Sequence, residues 1–357
     1  MKTTFSWICT LGLGLAAPIC AAPAEVEIGG EYQLALIHTD DGLNLEAKQT
    51  KETDFAIRAA KIALRGKLSD QISWNVLFMA DKSELERYWL TNKVSDNFDV
   101  AIGQQKIKVY GWHRRLSSSA VSPVRGAVLD YNPLKDKMAV DLTYKLAGTF
   151  SLSFIKDYFD TSTTCQADGT GCKSWNGKDV QKQPAVAFEW IGAFGEIQPL
   201  VQFANYDRGN SSTASAGVRY KTDTLDTYVD FTQDTRNEKG VGASGKAEDL
   251  KNTITGLAIY GEWKLEGGYT PFWHISTLGV DQYTAPGQKQ RQTNENGKLD
   301  DNEQTAALGL WFDLWGTYYR PYVAVARYAG DYADPEDASK TEQRTKLDVL
   351  TGITGKF

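Results

Sequence analysis

Thr345-Lys-Leu-Asp-Val-Leu-Thr-Gly-Ile-Thr-Gly-Lys-Phe357 alternates between two kinds of side chain along its length. Leu347, Val349, Thr351, Ile353 and Phe357 share one parity; Lys346, Asp348, Leu350, Gly352, Thr354 and Lys356 share the other. An extended chain points successive side chains to opposite faces, so this segment is predicted to be a strand with one apolar and one largely polar face. Nothing follows Phe357, and the strand is therefore expected to pair with one made earlier.

The same alternation recurs upstream. In 71–81, Ile72, Trp74, Val76, Phe78 and Ala80 form one face and Ser73, Asn75, Leu77, Met79 and Asp81 the other. In 57–68, Ile62, Leu64 and Leu68 oppose Lys61, Arg65 and Lys67. Charges on one parity only suit a wall with lipid outside and water inside, because Arg or Lys at the lipid midplane costs about 2–4 kcal/mol. Tight turns are expected near Ser69-Asp70, Ser95-Asp96-Asn97, Ala147-Gly148, Gly192–Gly195, Asp223-Thr224, Glu266–Gly268 and Gly316-Thr317. Longer polar stretches separate them at 39–53, 82–84, 109–136, 160–181, 208–212, 237–250, 280–302 and 331–341. This rhythm predicts an all-β fold, a transmembrane antiparallel β-barrel of about sixteen strands, an even number that lets first and last strands meet. Residues 84–94 alternate poorly, which leaves fourteen or eighteen strands open. An amphipathic closing strand that ends in Phe also resembles the terminal signal of bacterial outer-membrane barrel proteins.

The N-terminus points to export. Met1-Lys-Thr-Thr precedes an apolar stretch from Phe5 to Ile19 and then Cys20-Ala-Ala-Pro-Ala24, the pattern of a cleaved secretory signal and too short to span a membrane. The division read from this is a signal peptide over 1–22 and one barrel domain over 23–357, with cleavage after Ala22 or Ala24. The formal net charge is −6, and cleavage would remove Lys2. An acidic balance argues against a nucleic-acid partner, which requires a basic face. Cys165 and Cys172, with the six residues Gln-Ala-Asp-Gly-Thr-Gly between them, are expected either to close a small disulfide loop or to remain two free thiols. Aromatic residues make up 11% of the chain. Those at Tyr88-Trp89, Trp190, Trp263, Trp273, Trp311, Trp315 and Tyr318-Tyr319 are expected to form interfacial girdles, where amphipathic rings sit at headgroup depth.

A sixteen-stranded barrel encloses more space than side chains fill, so it is expected to be a channel for small hydrophilic solutes. The third long connection, 109–136, carries Trp112, Leu116, Val121, Val124, Val128 and Leu129, too many apolar residues for a loop left in water. Folded inward, it would narrow the pore and present His113, Arg114, Arg115 and Arg125 to the passage, joined by Lys61, Arg65, Lys106 and Lys108 from strands. Cations at a constriction select anions. The competing reading pairs these arginines with loop carboxylates such as Asp130 and Asp136.

Phe55-Ala-Ile-Arg58-Ala-Ala-Lys-Ile-Ala-Leu64-Arg-Gly66-Lys-Leu68-Ser, followed by a turn and Trp74, resembles the early hairpin of the phosphate-selective porin O/P type. Asn97-Phe-Asp-Val-Ala-Ile-Gly103-Gln104-Gln-Lys106 resembles that family's strand ending in Gly-Gln-x-Lys before the third loop. The resemblance covers roughly residues 54–125 and implies a sixteen-stranded outer-membrane porin, assembled as a homotrimer, whose third loop folds inward. The family often continues with Pro-Phe, whereas this chain has Ile107-Lys108-Val109. Phosphate specificity is therefore not implied above general or dicarboxylate-like anion transport.

Two other chemistries have partial signals in the sequence. His274 and Ser276 share one strand face, similar to the His–Ser pair on the outer wall of outer-membrane phospholipase A. Gln292–Glu303 matches a calcium loop at Asn294, Asn296, Asp300 and Glu303, with Gly297 at its turn, but Gln292 replaces the first-position Asp and strands should flank it. No Walker loop, zinc spacing or dinucleotide fingerprint occurs, so no cofactor is expected. A structural or adhesive barrel without conductance is the remaining alternative.

Overall fold

The computed structural model describes residues 26–43, 50–80, 82–116, 124, 137–156, 163–165, 172–174, 184–206, 211–241, 247–285, 288–289, 302–313, 319–333 and 341–356. The wall consists of β1 (Val26–Leu43), β2 (Thr50–Lys67), β3 (Ile72–Met79), β4 (Glu84–Ser95), β5 (Phe98–Gln105), β6 (Lys137–Lys145), β7 (Gly148–Ile155) and β8 (Ala185–Gly192). It continues through β9 (Ile197–Tyr206), β10 (Ser211–Lys221), β11 (Leu225–Val241), β12 (Ala247–Trp263), β13 (Tyr269–Ala285), β14 (Asn302–Phe312), β15 (Arg320–Ala333) and β16 (Thr341–Lys356). Each strand pairs antiparallel with its sequence neighbours, giving a 16-strand closed barrel. The chain-terminal strand completes it. β16 pairs with β15 and with β1, in a register running from Glu31 opposite Lys356 to Leu43 opposite Arg344. No helix among the described residues is long and apolar enough to cross a membrane; the strands do so, with their backbone groups satisfied by neighbours around the ring.

Side-chain parity separates lipid from lumen. On β11, Tyr228, Asp230, Thr232 and Asp234 are buried inside, while Val229 and Phe231 are 43% and 49% exposed outside. Three irregularities break this alternation. Gln33 faces Ala59 and Leu34 faces Ile57, so Arg58 is the extra residue of a bulge. Phe55 and Ile57 consequently face outward, although they share parity with Lys61 and Arg65 inside. A second bulge leaves Glu86 between the pairs Leu77–Arg87 and Phe78–Leu85, and a third skips Val94. The last two explain why 84–94 alternates poorly.

Several stretches expected as loops are strand instead. β11 and β12 remain paired to Val241 opposite Ala247, inside the predicted 237–250 connection, and β1 and β2 remain paired through Asp41 opposite Thr50. Past the lipid boundary a hairpin has water on both faces, so it persists on backbone hydrogen bonds without an apolar parity. Conversely, Lys106 and Lys108, expected on strands, lie in the third connection, because β5 ends at Gln105. The aromatic girdle is partial. Trp263 and Tyr319 are exposed outside, whereas Trp311 is fully buried in the lumen, since its parity on β14 is that of Ala307. Trp315 and Tyr318 lie outside the described residues.

Two apolar clusters occupy the barrel interior. Ile107, Val109 and Tyr110 pack on Ala139, Ile155, Ala185, Ala187, Ala204, Tyr206, Ile254 and Leu278. Trp112 and Val124 pack with Leu200, Tyr228, Tyr260, Phe272, Trp311, Tyr322 and Leu350. Alanines on β6, β8 and β9 let the third loop lie close to the wall there. The cavity that positions the site therefore lies on the other side, beside β1–β4.

Candidate pore constriction

The third loop turns sharply where Tyr110 and Gly111 both adopt positive φ, at 68° and 73°. A bulky residue in that region is strained. Tyr110 is held there by burial and by its hydroxyl, which donates to Asp234 at 2.5 Å. Gly111 then opens helix α1 (Gly111–Leu116), whose first turn contains no acidic residue. The wall supplies the missing charge. The His113 amide donates to Asp230 Oδ2 at 2.5 Å, the Trp112 amide donates to the same carboxylate, and the Gly111 amide donates to Gln202 at 2.7 Å. These are the amides that a helix start leaves unsatisfied, and a carboxylate facing them is favoured by the helix dipole. Two glycines make room for it: a Cβ on Gly111 would stand 2.6 Å from the Asp230 carboxyl carbon, and one on Gly217 would overlap its oxygen.

The other end of α1 is tied by charge. Arg115 Nη1 donates to both Glu189 oxygens, at 2.7 and 2.9 Å, and Gln202 Nε2 donates to the same carboxylate. Trp112 lies under the Arg219 guanidinium, 5.3 Å from ring to cation. His113 Nδ1 and the Tyr228 hydroxyl are 2.9 Å apart, and the His113 ring meets His274 edge-on. Burial first, then positive charge on His274, Lys106 and Arg114, holds the His113 imidazole well below its usual range. His113 is thus neutral in the attached loop, whereas a released loop takes up a proton near pH 6.5. The His113 contribution to attachment weakens as pH falls below that value and stops weakening once the attached form also protonates. Between pH 7.5 and pH 5 we expect channel openings to rise more in the wild type than in His113→Gln; equal pH dependence in the two would contradict this.

Between the loop and the facing wall, Lys61, Arg65, Arg87, Lys106, Arg115 and Lys356 line one space of about 410 Å³, with Glu31 as its acidic residue. Lys61 lies 3.5 Å from Glu31 and 3.3 Å from Glu86, and Arg87 lies 3.2 Å from Glu86. Arg65 is half exposed, 3.7 Å from Glu27.

Sequence reading named Lys61, Arg65, Lys106 and Arg115, and they come together here. It missed Arg87 and Lys356. Arg87 follows the bulge that scrambled its parity, while Lys356 sat plainly on the polar face of the closing strand. It also missed Glu189, Asp230 and Asp234, although Asp226, Asp230 and Asp234 on a single parity were a readable signal. Two expected pore residues point elsewhere. His113 is buried against the wall, and Lys108 turns to Ser151 at 3.0 Å and Asp141 at 3.7 Å. Both follow loop faces that the apolar residues Ile107, Val109 and Trp112 pin inward. Arg114 is half-buried beside them, its carbonyl accepting from Lys106. Arg125, Asp130 and Asp136 lie outside the described residues, as do Asn294, Asn296 and Asp300; Glu303 belongs to β14 rather than to a loop. No metal-binding cluster occurs among the described residues. Cys165 and Cys172 face each other across a small separate hairpin. His274 and Ser276 are buried inside the barrel, not on its outer wall, so they cannot meet lipid as the phospholipase reading requires.

Residues 31–262 match the family model described as phosphate-selective porin O and P. The chain belongs to that porin family. It is a channel of the bacterial outer membrane through which small solutes diffuse. Among solved structures, the anion-selective porin from Comamonas acidovorans is similar at 10% identity and a TM-score of 0.61, covering 94% of this chain and 100% of that one. The loop L8 deletion mutant of OmpT from Vibrio cholerae is similar at 11% identity and a TM-score of 0.59, covering 94% and 99%. The channel DcaP of Acinetobacter baumannii is similar at 12% identity and a TM-score of 0.55, covering 92% and 97%. Such low identities bear on the barrel alone. No curated protein matches the chain in sequence.

Proposed function

We propose that this porin prefers anions, phosphate or small carboxylates among them. The observation that carries the reading is the charge of the constriction: six cationic side chains line one space, against the four described carboxylates paired with them, Glu27, Glu31, Glu86 and Glu189, which leaves a positive excess. Low-dielectric walls concentrate that field, and anions are enriched at the narrowest point while potassium is repelled. The acidic net charge of the chain does not oppose this, because selectivity is set where the pore is narrow. In a salt gradient across a planar bilayer, the reversal potential is expected to take the sign of chloride selectivity, weakening as ionic strength rises. A potassium-selective sign would overturn the reading.

Three further features belong to this proposal. Residues 1–22 act as the removed leader. The mature chain assembles as a homotrimer, as the family resemblance implies. Cys165 and Cys172, opposed in the hairpin register, are joined in the oxidising compartment; two thiols reactive in unreduced protein would refute that.

A further inference from the structure

The constriction is not lined by charge alone. Register places Arg65, Asn75 and Trp89 side by side on β2, β3 and β4, and Ala63, Leu77 and Arg87 side by side one step along. All six line the same cavity. Successive residues on one face of a strand are about 7 Å apart, and directly opposed ones about 5 Å. The patch is therefore a rectangle of about 7 by 10 Å, with arginines at two opposite corners, Trp89 and Ala63 at the others, and Asn75 and Leu77 at the middle of its long edges. Gly29 lies opposite Ala63 on β1 and also lines the cavity. With a hydrogen and a methyl group there, the wall gives up volume beside Leu77. An inorganic anion has no use for that volume, since it gains nothing from apolar surface and loses hydration beside it.

We propose that this patch recognises organic anions with a flat apolar body, aromatic monocarboxylates being the fitting class. Arg65 or Arg87 takes the carboxylate, and the ring lies between Trp89 and Leu77, which borders the space left by Gly29 and Ala63. The arrangement follows the usual form of a ligand site, an apolar surface with a few convergent polar groups. Passage requires that such binding stay weak enough for release. The inference rests on the anion preference proposed above and deepens it.

The test uses the full mature protein in planar bilayers, with chloride current recorded while benzoate, acetate or phosphate is added. Benzoate is expected to interrupt the current at about tenfold lower concentration than acetate or phosphate, from the apolar area its ring buries. Trp89→Ala and, independently, Leu77→Ser are expected to bring the benzoate-to-acetate ratio several-fold closer to one. Equal potency of benzoate and acetate in the wild type overturns the inference, as does a ratio unchanged in both variants. A chloride-selective reversal potential with equal potencies sinks this inference alone; a potassium-selective one sinks the anion preference beneath it.

Discussion

Asp230→Ala is expected to release the third loop from the wall and convert a quiet channel into a noisy one of higher conductance. The carboxylate accepts the Trp112 and His113 amides at the start of α1. Removing the acceptor leaves two buried amides unsatisfied at about 1–3 kcal/mol each, so the joint loss is about 2–6 kcal/mol. At 1.36 kcal/mol per factor of ten, the detached fraction should rise by roughly one to four orders of magnitude. Alanine also leaves a void between Gly111 and Gly217, which approach the carboxylate too closely for any side chain of their own. Asp230→Asn retains the shape and one acceptor oxygen, and should fall between. Single-channel recordings report the change directly, and trypsin cleavage after Arg114 or Arg115 in the folded protein gives a second readout. Wild-type conductance with an uncut loop in Asp230→Ala would show that the apolar contacts of Ile107, Val109 and Trp112 hold the loop unaided.

Arg65→Glu/Arg87→Glu is expected to abolish anion preference and to approach cation preference. The double change leaves Lys61, Lys106, Arg115 and Lys356 facing Glu31 and two new carboxylates in the same space. Four units of formal charge are exchanged within a few ångströms of the passing ion. Allowing for water in the pore and screening by salt, the chloride-to-potassium permeability ratio should fall on the order of tenfold at 0.1 M salt, and less at 1 M. Reversal potentials on both sides of the exchange measure it. An unchanged ratio would mean that the limiting field lies elsewhere along the pore, and would remove the ground for assigning selectivity to this cavity.

The barrel was legible because lipid imposes a rule on every residue of a spanning strand. Leu347 and Val349 face outward, and Asp348 and Leu350 inward, as the parity of the closing strand dictates. The rule failed where its cause stopped acting. Beyond the bilayer, polar hairpins continue as strand with no apolar face to reveal them. At Arg58 and Glu86 an extra residue reverses parity, and a bulge leaves little local trace in composition. The loop arginines form a single group in the sequence, yet α1 separates them: Arg115 reaches the pore-lining space while Arg114 is half-buried near His113.

By itself, then, the sequence determined that a wall of about sixteen strands with a greasy exterior and a wet interior would form, and that charged side chains would take its inner parity. Those are consequences of period and parity, which each segment carries locally. Only the tertiary structure decided which half of the lumen is filled and which charges share the remaining space. Asp230 meets Trp112 and His113, and Lys356 shares a cavity with Arg65, across gaps in the chain that no local pattern spans. The closure of the ring brings them together.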